Sequence, residues 1–354
     1  MTATEPAVDA DLHILAEATH DVLTSQSAGG LCVEVEAGDA SPGERLWRLA
    51  VELGWPGIGL DEARGGSGGG PAELTVLFEQ FGRWLAPGPF LGSCLYSAAL
   101  SLAGDAVAPA GLLAASGLGF APAPSVVAVP VDGGQRAVLT GVSRVYQMPG
   151  TAGGCLVFTR DAVHLADPGD GAVRFTAVES LDPGCPVHEA RFAGHHARIL
   201  LTGESARRLT LWAHLLIASS AVGICGRMLE VAVEYAKTRT QFGKPIGAFQ
   251  AVKHRCAQMA VRERAARAAV FYAAAHVDAE LAELSPLVGA AASVTGAAAA
   301  RNAEDCLETH GAMGHTWEFV GHRYLKRAYL LRAMNLALGR LAAGPTDPPG
   351  EEDL

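Results

Sequence analysis

The segment from Tyr235 to Gln258, YAKTRTQFGKPIGAFQAVKHRCAQ, contains residues whose types and spacing suit the binding of an anionic nucleotide. The guanidinium of Arg239 can bind phosphate through two parallel hydrogen bonds. Phe242 offers an aromatic face for a purine. Gln250 offers an amide at the predicted start of a helix, where free backbone N–H groups favour anions. The segment therefore suits an adenine joined to a pyrophosphate.

The same residue types also fit an ordinary corner between two helices with a solvated basic face. The order of the residues favours the first interpretation. R-x-x-F-G at Arg239–Gly243, followed by P-I-x-x-F-Q-A-V-x-H at Pro245–His254, resembles the signature of acyl-CoA dehydrogenases. The resemblance implies that Arg239, Phe242 and Gln250 reach across a dimer contact and hold the ADP half of the neighbouring subunit's FAD.

A second segment, ETHGAMGHTWE at Glu308–Glu318, resembles the family pattern Q-x-x-G-G-x-G-[FY]-T-x-E. The resemblance implies that Glu308, Gly311 and Ala312 lie at the FAD diphosphate, where glycine lets the backbone approach closely. Two of these residues depart from the pattern. Ala312 replaces a glycine, and Glu308 replaces a glutamine and would repel the diphosphate unless paired, for example with Arg239. In the alternative interpretation, the glycines only end a helix and Trp317 belongs to the core.

The catalytic base of the family has no counterpart at either of its usual positions. An acyl-CoA dehydrogenase removes the α proton of a thioester with a carboxylate while a hydride passes to the flavin. Alignment on Gly311 places Asn335 at one position of this base. In a minority of the family the base lies about ten residues before a V-G pair, here Val222–Gly223, and that position is Ala213, beside His214. We therefore assign no catalytic residue. An unrecognised base would have to be His214 or one of two other candidates, Glu318 and His322.

The segment that contacts the flavin ring in the family, T-E-P-x-x-G-S-D, is also missing. Its nearest equivalent, Gly119–Pro124, has no polar side chain. The chain therefore resembles the short, base-lacking subunit of heteromeric acyl-CoA dehydrogenases, such as those of steroid side-chain degradation. This implies FAD as cofactor, an acyl-CoA substrate reached through the complex, and a catalytic subunit as partner in a heterotetramer. Electron-transfer flavoprotein is a further partner implied by the family.

Two alternatives remain open. The chain could be a self-sufficient FAD-dependent dehydrogenase that forms a dimer or tetramer with itself. It could also reuse the fold for non-redox chemistry or as an interaction scaffold. The colour of a purified sample would separate the three, because a yellow protein contains oxidised flavin.

The composition excludes several other classes. The formal net charge of -10 argues against general nucleic-acid binding. Seven cysteines without C-x-x-C spacing indicate reduced cytoplasmic thiols, and we find no metal motif. The polar N-terminus lacks a signal-peptide pattern. The apolar run from Leu209 to Ile224 is interrupted by polar residues and too short to span a bilayer, which predicts a buried helix and no membrane insertion.

Three regimes along the chain predict an α+β protein with the acyl-CoA dehydrogenase fold. An N-terminal helical domain is expected at 1–117, where Leu74, Phe78, Phe81 and Leu85 form a helical stripe after Pro71. Short β-rich runs predict a small barrel or sandwich at 118–203. Ala-rich helical patterns predict a four-helix bundle at 204–343, followed by a flexible tail at 344–354. The glycine-rich segment at 54–70 is expected to be a flexible connector.

Overall fold

The computed structural model of the protein describes residues 10–26, 41–104, 117–148, 154–277 and 279–343. Their contacts group the chain into two compact units, and the chain passes repeatedly between them. The first unit contains the described residues before residue 38, Pro71–Ala86 and Leu215–Leu331. The second contains the described parts of Gly38–Gly70, Pro87–His214 and the chain from Arg332. The division into consecutive domains remains a prediction, and the predicted tail at 344–354 lies outside the described residues.

The described residues form eight α-helices and nine strands. The helices are α1 (Ala10–Gln26), α2 (Ser41–Glu52), α3 (Pro71–Arg83), α4 (Phe90–Leu102), α5 (Gly203–Thr238), α6 (Gln250–Ala275), α7 (Leu281–His310) and α8 (Gly321–Ala343). The strands are β1 (Gly119–Pro122), β2 (Val127–Val131), β3 (Arg136–Tyr146), β4 (Cys155–Phe158), β5 (Ala162–Ala166), β6 (Val173–Val178), β7 (Val187–Thr202), β8 (Thr240–Gln241) and β9 (Lys244–Pro245). Helices before and after a central sheet confirm the predicted α+β class.

In the second unit, the strand pairings form a small barrel-like ring. β1 pairs with β3 and, in parallel, with β4; β4 pairs with β5, and β5 with β7. The long antiparallel pairing of β3 with β7, from Arg136↔Arg198 to Tyr146↔Val187, closes the ring. β2 and β6 extend it along β3 and β7. Apolar side chains from these strands, including Leu139, Val157 and Phe192, fill its core.

The glycine-rich segment at 54–70 forms a hydrogen-bonded loop rather than the simple connector expected. The backbone N–H of Gly59 donates to the oxygen of Gly68, and the N–H of Gly68 donates to the oxygen of Leu60. Ser67 Oγ donates to the oxygen of Gly54, which has a φ of 76°. A left-handed conformation of this kind favours glycine. The glycines are therefore required by the backbone conformation of the loop itself.

In the first unit, α3 and α5 cross so closely that each has a glycine at the contact. Three residues of the predicted stripe, Leu74, Phe78 and Phe81, are buried on α3. The fourth, Leu85, is buried too but lies beyond the end of α3 with a φ of 50°, so the helical stripe is one turn shorter than predicted. A Cβ added to Gly82 would lie 1.8 Å from the backbone oxygen of Ser220, and one added to Gly223 would lie 1.9 Å from that of Glu79. Only glycine permits these backbones to approach so closely.

Replacing Gly223 by alanine is therefore expected to destabilise the first unit by about 1–3 kcal/mol, because the methyl group would force α3 and α5 apart. Gly289→Ala is the matched control, since a Cβ at this position of α7 meets nothing within 4 Å. There we expect a gain of about 0.5–1 kcal/mol from helix propensity. Urea midpoints followed by circular dichroism would measure both. Equal shifts of the same sign would contradict the crossing geometry.

Two helices are long and apolar enough to cross a membrane by length and composition: Gly203–Thr238, and Leu281 with its continuation to His315. The expectation that the run from Leu209 to Ile224 is too short is wrong, because it lies inside α5, which has 36 residues. Most of the apolar part of α5 is buried in the protein, as predicted, whereas α7 is largely exposed. A buried core helix passes the same length and composition test, so the test alone identifies no span.

Candidate functional site

A two-residue hairpin connects α5 to the segment before α6 and carries Phe242 at its tip. β8 pairs with β9 through Gln241↔Lys244, so Phe242 and Gly243 form the turn. Their φ angles are 52° and 77°, as a type I′ turn requires. Glycine adopts this conformation readily, but for phenylalanine it costs about 1–2 kcal/mol. Phe242 is nevertheless 91% exposed, so burial within the described chain does not compensate for this cost.

The backbone around Arg239 is held on both sides of the turn, while its side chain is exposed. Its N–H donates to the oxygen of Tyr235 at 2.8 Å, and its own oxygen accepts from Ile246 N–H at 2.8 Å. Gln250 is the first residue of α6 and is also exposed. The residue before it, Phe249, makes no side-chain cap, so the helix start has backbone N–H groups available for an anion.

The segment Arg239–Gln250 forms a corner between α5 and α6. An aromatic stack joins this corner to the second motif, Glu308–Glu318. The ring of Tyr235, near the end of α5, stacks on His310 at the end of α7 with centroids 4.1 Å apart. The other close ring is Phe319, also 4.1 Å from His310. Tyr235 Oη lies 3.8 Å from Met313 Sδ. The two motifs, which are far apart in sequence, therefore meet in one compact unit. Sequence reasoning assigned no role to Tyr235 or His310, because their contact has no local signal.

Glu308, in the last turn of α7, is paired with Arg255 on α6, with Oε2 2.8 Å from Nη2. The suggestion that Arg239 would pair with it is therefore corrected: α6 lies beside α7, which brings Arg255 within reach, whereas the Arg239 side chain is exposed to solvent. The pairing offsets the negative charge that would repel a diphosphate. Glu308 is thus compatible with an anion site despite its departure from the family pattern.

Beneath this pair lies a polar network around the buried carboxylate of Asp305. Asp305 forms an ion pair with Arg262, and the guanidinium of Arg255 lies 3.8 Å from Asp305 Oδ1. Arg262 Nε also donates to Asn302 Oδ1 at 2.8 Å. Asn302 in turn donates to the backbone oxygens of Cys225 on α5 and Met259 on α6. The network therefore connects α5, α6 and α7.

Gly311 ends α7 and opens the short turn Gly311–His315. Its φ of 61° and ψ of −135° are glycine-specific, and a Cβ built there would meet nothing within 4 Å. Gly314 has a different constraint, since its Cβ would lie 2.1 Å from the oxygen of Leu307. Ala312 is exposed between them, so its methyl group extends from the surface. Gly311 does end a helix, as the alternative interpretation states, and it also leaves open space at the surface.

The corner is basic although the whole chain has a net charge of -10. From Tyr235 to Arg262 the sequence has no acidic residue. Its cations are Lys237, Arg239, Lys244, Lys253, Arg255 and Arg262. Glu308 and Asp305 of α7 pair with Arg255 and Arg262, so the positive charge comes mainly from the other four. A locally positive field of this kind favours phosphate ligands, and its strength falls with added salt.

His214 and Asn335, in the second unit, lie within hydrogen-bonding distance of each other. His214 Nδ1 is 2.9 Å from Asn335 Oδ1, although 121 residues separate them. The amide oxygen can only accept, so Nδ1 is the donor and the neutral ring has its lone pair on Nε2. Burial lowers the pKa of His214, and the hydrogen bond to Asn335 partly opposes this. Ala213 is fully buried beside it. The two expected base positions thus come together without a carboxylate at either.

The other two candidate bases are less suitable. Hydrogen bonds to its own backbone N–H and from Thr316 lower the pKa of the exposed Glu318, which makes it a weaker base. His322 Nδ1 lies 2.7 Å from the oxygen of Phe319, and its ring stacks on Trp317 with centroids 4.8 Å apart. Trp317 itself is 64% exposed, so its proposed place in the core is wrong.

The segment equivalent to the missing flavin-ring motif is part of the sheet core. Gly119–Pro122 forms β1, and all four of its residues are buried. Phe120 contacts Phe158 with ring centroids 5.2 Å apart. Because the strand is packed on both sides and apolar, its side chains provide no hydrogen bond to a flavin ring.

Comparison with known proteins identifies the family. The model of the acyl-CoA dehydrogenase C-terminal domain matches residues 205–335, and that of the N-terminal domain matches residues 15–111. Acyl-CoA dehydrogenase IpdE2 of Mycobacterium tuberculosis is 31% identical over 338 residues, covering 92% of this chain and 95% of that protein. The chain belongs to the acyl-CoA dehydrogenase family.

A second relative and a solved structure extend the comparison of this acyl-CoA dehydrogenase. Acyl-CoA dehydrogenase FadE34 of Mycobacterium tuberculosis is 34% identical over 83% of this chain, and the chain spans 40% of its length. Among solved structures, the Tcur3481–Tcur3483 steroid acyl-CoA dehydrogenase G363A variant superposes with a TM-score of 0.79. It is 25% identical and covers 94% of this chain and 98% of its own. These likenesses confirm the predicted family and fold.

Proposed function

We propose that the chain is the subunit of a heteromeric acyl-CoA dehydrogenase that completes the FAD site of a catalytic partner. The observation that carries the proposal is the contrast between its two sites. The corner that carries Arg239, Phe242 and Gln250 is basic, and these three side chains are exposed to a ligand. The two positions of the family's catalytic base, Ala213 and Asn335, have no carboxylate. The structural likeness to Tcur3481–Tcur3483, a steroid acyl-CoA dehydrogenase named for two components, supports this assignment.

The residues of the corner fit the ADP half of FAD. Arg239 would bind the diphosphate, Phe242 would cover the adenine, and Gln250 would hydrogen-bond beside the uncapped start of α6. Gly311 would let the diphosphate approach the backbone, with Ala312 at the rim and Glu308 neutralised by Arg255. When bound, the flavin would supply hydride acceptance to the complex. The exposure and strain of Phe242 agree with a ligand or partner that lies outside the chain.

We expect the isolated protein to show little or no dehydrogenase activity with any acyl-CoA, because a base and the flavin-ring contacts are both missing. The measurement is turnover of a homogeneous sample with an artificial electron acceptor, with FAD absorbance recorded alone and after co-purification with a partner dehydrogenase. We expect yellow colour only in the complex. We expect that complex to be a dimer or an α2β2 heterotetramer.

Other outcomes have distinct meanings. Turnover by the isolated, flavin-containing chain, lost in a His214 or Glu318 variant, would show a self-sufficient dehydrogenase. A protein that stays colourless with every partner would favour a scaffold or non-redox role. A stable monomer in light scattering, with and without partners, would contradict the heteromer.

A further inference from the structure

The outer face of the sheet in the second unit carries a cluster of arginines. The side chains of β7 alternate between the buried core and the outside, and Glu189 and Arg191 lie on the outside. Residues directly opposite each other on paired strands share one face. Arg144 of β3 is opposite Glu189, and Arg174 of β6 is opposite Arg191. Three arginines and one carboxylate therefore lie together on this face.

Glu189 does not neutralise the cluster. Its carboxylate lies 3.4 Å from Arg144 and 3.5 Å from Arg191, so two guanidinium groups share one negative charge. Arg174 has no ion pair with a described residue, and it faces Arg191 across the ladder, where like charges destabilise a sheet. The side chains of Arg191 and Arg144 are 66% and 48% exposed. An acidic group from outside the chain can therefore reach the cluster and would stabilise it.

An exposed aliphatic zone lies on the same face, between the arginines at the two ends of β3. Every second side chain from Arg136 to Arg144 extends outward. β2 pairs with β3 and adds its own outward side chains to this row. The aliphatic residues of the two strands on this face are Val127, Val129, Val131, Val138 and Val142. Val127 and Val129 are 63% and 54% exposed, although valine is among the residues most often buried.

We propose that this face of β2, β3, β6 and β7 is a docking surface for a partner protein whose contacting surface is apolar at its centre and acidic at its edges. The valines would form the buried centre of the contact, and the arginines at both ends would form its charged rim. The partner is acidic because a surface with excess guanidinium groups repels a basic one. The face belongs to the second unit and the Arg239–Gln250 corner to the first, so the proposal does not rest on the cofactor-completing role.

The partner binds this face through side chains rather than by adding a strand to the sheet. β2 is an edge strand, but its Pro130 has no N–H to donate, which makes the edge a poor template for another strand. The row from Arg136 to Arg144 spans about 27 Å at the ordinary rise of a strand. A partner segment of about nine extended residues covers this length.

The test is fluorescence anisotropy of the fluorescein-labelled peptide EEVPVPVEE, titrated with the purified full chain. The peptide has glutamates at both ends of an apolar centre, and its prolines prevent it from pairing with itself as strands. We expect saturable binding at least about tenfold tighter than that of KKVPVPVKK. EESPSPSEE, which keeps the charges without the valines, should bind several-fold more weakly than EEVPVPVEE. Raising sodium chloride from about 0.05 M to about 0.5 M should weaken the binding at least about fivefold, because salt screens exposed charges.

Two pairs of variants locate the contact. Arg191→Gln should lower the affinity for EEVPVPVEE at least about fivefold. Arg264→Gln, the same change at an exposed arginine of α6 in the first unit, should leave it unchanged. Val129→Thr should lower the affinity about two- to threefold, whereas Val261→Thr, at an exposed valine of α6, should not. Thermal melting of each variant measures its folding separately.

Other results overturn the proposal. They are equal binding of KKVPVPVKK, undiminished binding of EESPSPSEE, and equal losses in Arg191→Gln and Arg264→Gln. Displacement of the peptide by millimolar inorganic phosphate would show a simple anion site instead. A change of molar mass in light scattering on Arg191→Gln would show that a second copy of the chain occupies this face. If Arg191→Gln fails to fold, wild-type affinity that is independent of salt overturns the proposal. FAD retention by the complex tests the proposed function separately.

Discussion

Arg239→Ala is expected to lower the FAD affinity of the assembled complex roughly ten- to a hundredfold. The loss corresponds to one charge-assisted contact of about 1.5–3 kcal/mol between the guanidinium and the pyrophosphate. The backbone of Arg239 is fixed by hydrogen bonds with Tyr235 and Ile246, and its side chain is exposed. Truncation should therefore leave the fold intact. The measurement is FAD retention and titration of the co-purified complex, with thermal melting of the variant chain alone.

Two further substitutions show whether the effect is specific. Arg239→Lys should recover only part of the affinity, because an ammonium cannot reproduce the bidentate fork. Arg264→Ala removes the same side chain from an exposed position on α6 outside the corner, so FAD retention should not change. Unchanged affinity in the Arg239→Ala complex, or an equal loss in Arg264→Ala, would remove the main support for the cofactor-completing role.

Asp305→Ala is expected to destabilise the first unit by up to about 3–5 kcal/mol, the cost of breaking an ion-pair network whose carboxylate is buried and whose guanidinium groups are partly buried. Asp305 is 3% exposed and contacts Arg262, Arg255 and Arg301. Because the Arg262 side chain is 26% exposed, we expect the lower end of this range. The urea midpoint of the purified chain, followed by circular dichroism, would measure the change.

Glu304→Ala is the matched control for Asp305→Ala. Glu304 is the preceding residue on α7 and pairs with Arg301 at 3.1 Å, but both side chains are substantially exposed. Exposed pairs of this kind contribute less than about 1 kcal/mol. Similar midpoint shifts for the two variants would mean that the Asp305 network contributes no more than a surface ion pair.

Local patterns made several elements predictable from sequence. The spacing of Leu74, Phe78 and Phe81 gives one buried face of a helix, and α3 buries these residues. The short β-rich runs predicted at 118–203 correspond to strands of the sheet, from β1 to β7. The order of residues at Arg239–Gly243 resembles the family signature, and the comparisons confirm the family. Each of these signals lies within about a dozen residues, where helical or strand periodicity is expressed.

Contacts between distant residues could not be predicted in the same way. The closure of the ring by β3 and β7, the stack of Tyr235 on His310 and the bond between His214 and Asn335 depend on how whole elements pack. The expectation that Glu308 pairs with Arg239 was wrong for the same reason. The adjacent helix α6, which cannot be read from local sequence, determines that its partner is Arg255. The roles of Arg239, Phe242 and Gln250 at FAD remain a prediction.

The strained turn at Phe242 and Gly243 indicates a compromise between stability and another requirement. A chain optimised only to fold would have asparagine, aspartate or glycine at the first turn position, where a positive φ costs them little. Phenylalanine destabilises the hairpin in two ways. Its backbone has a strained positive φ, and its side chain is almost fully exposed to water apart from an edge contact with Phe249. The chain by itself is therefore less stable than its own backbone would permit, and a ligand or partner that covered the ring would supply the compensating energy.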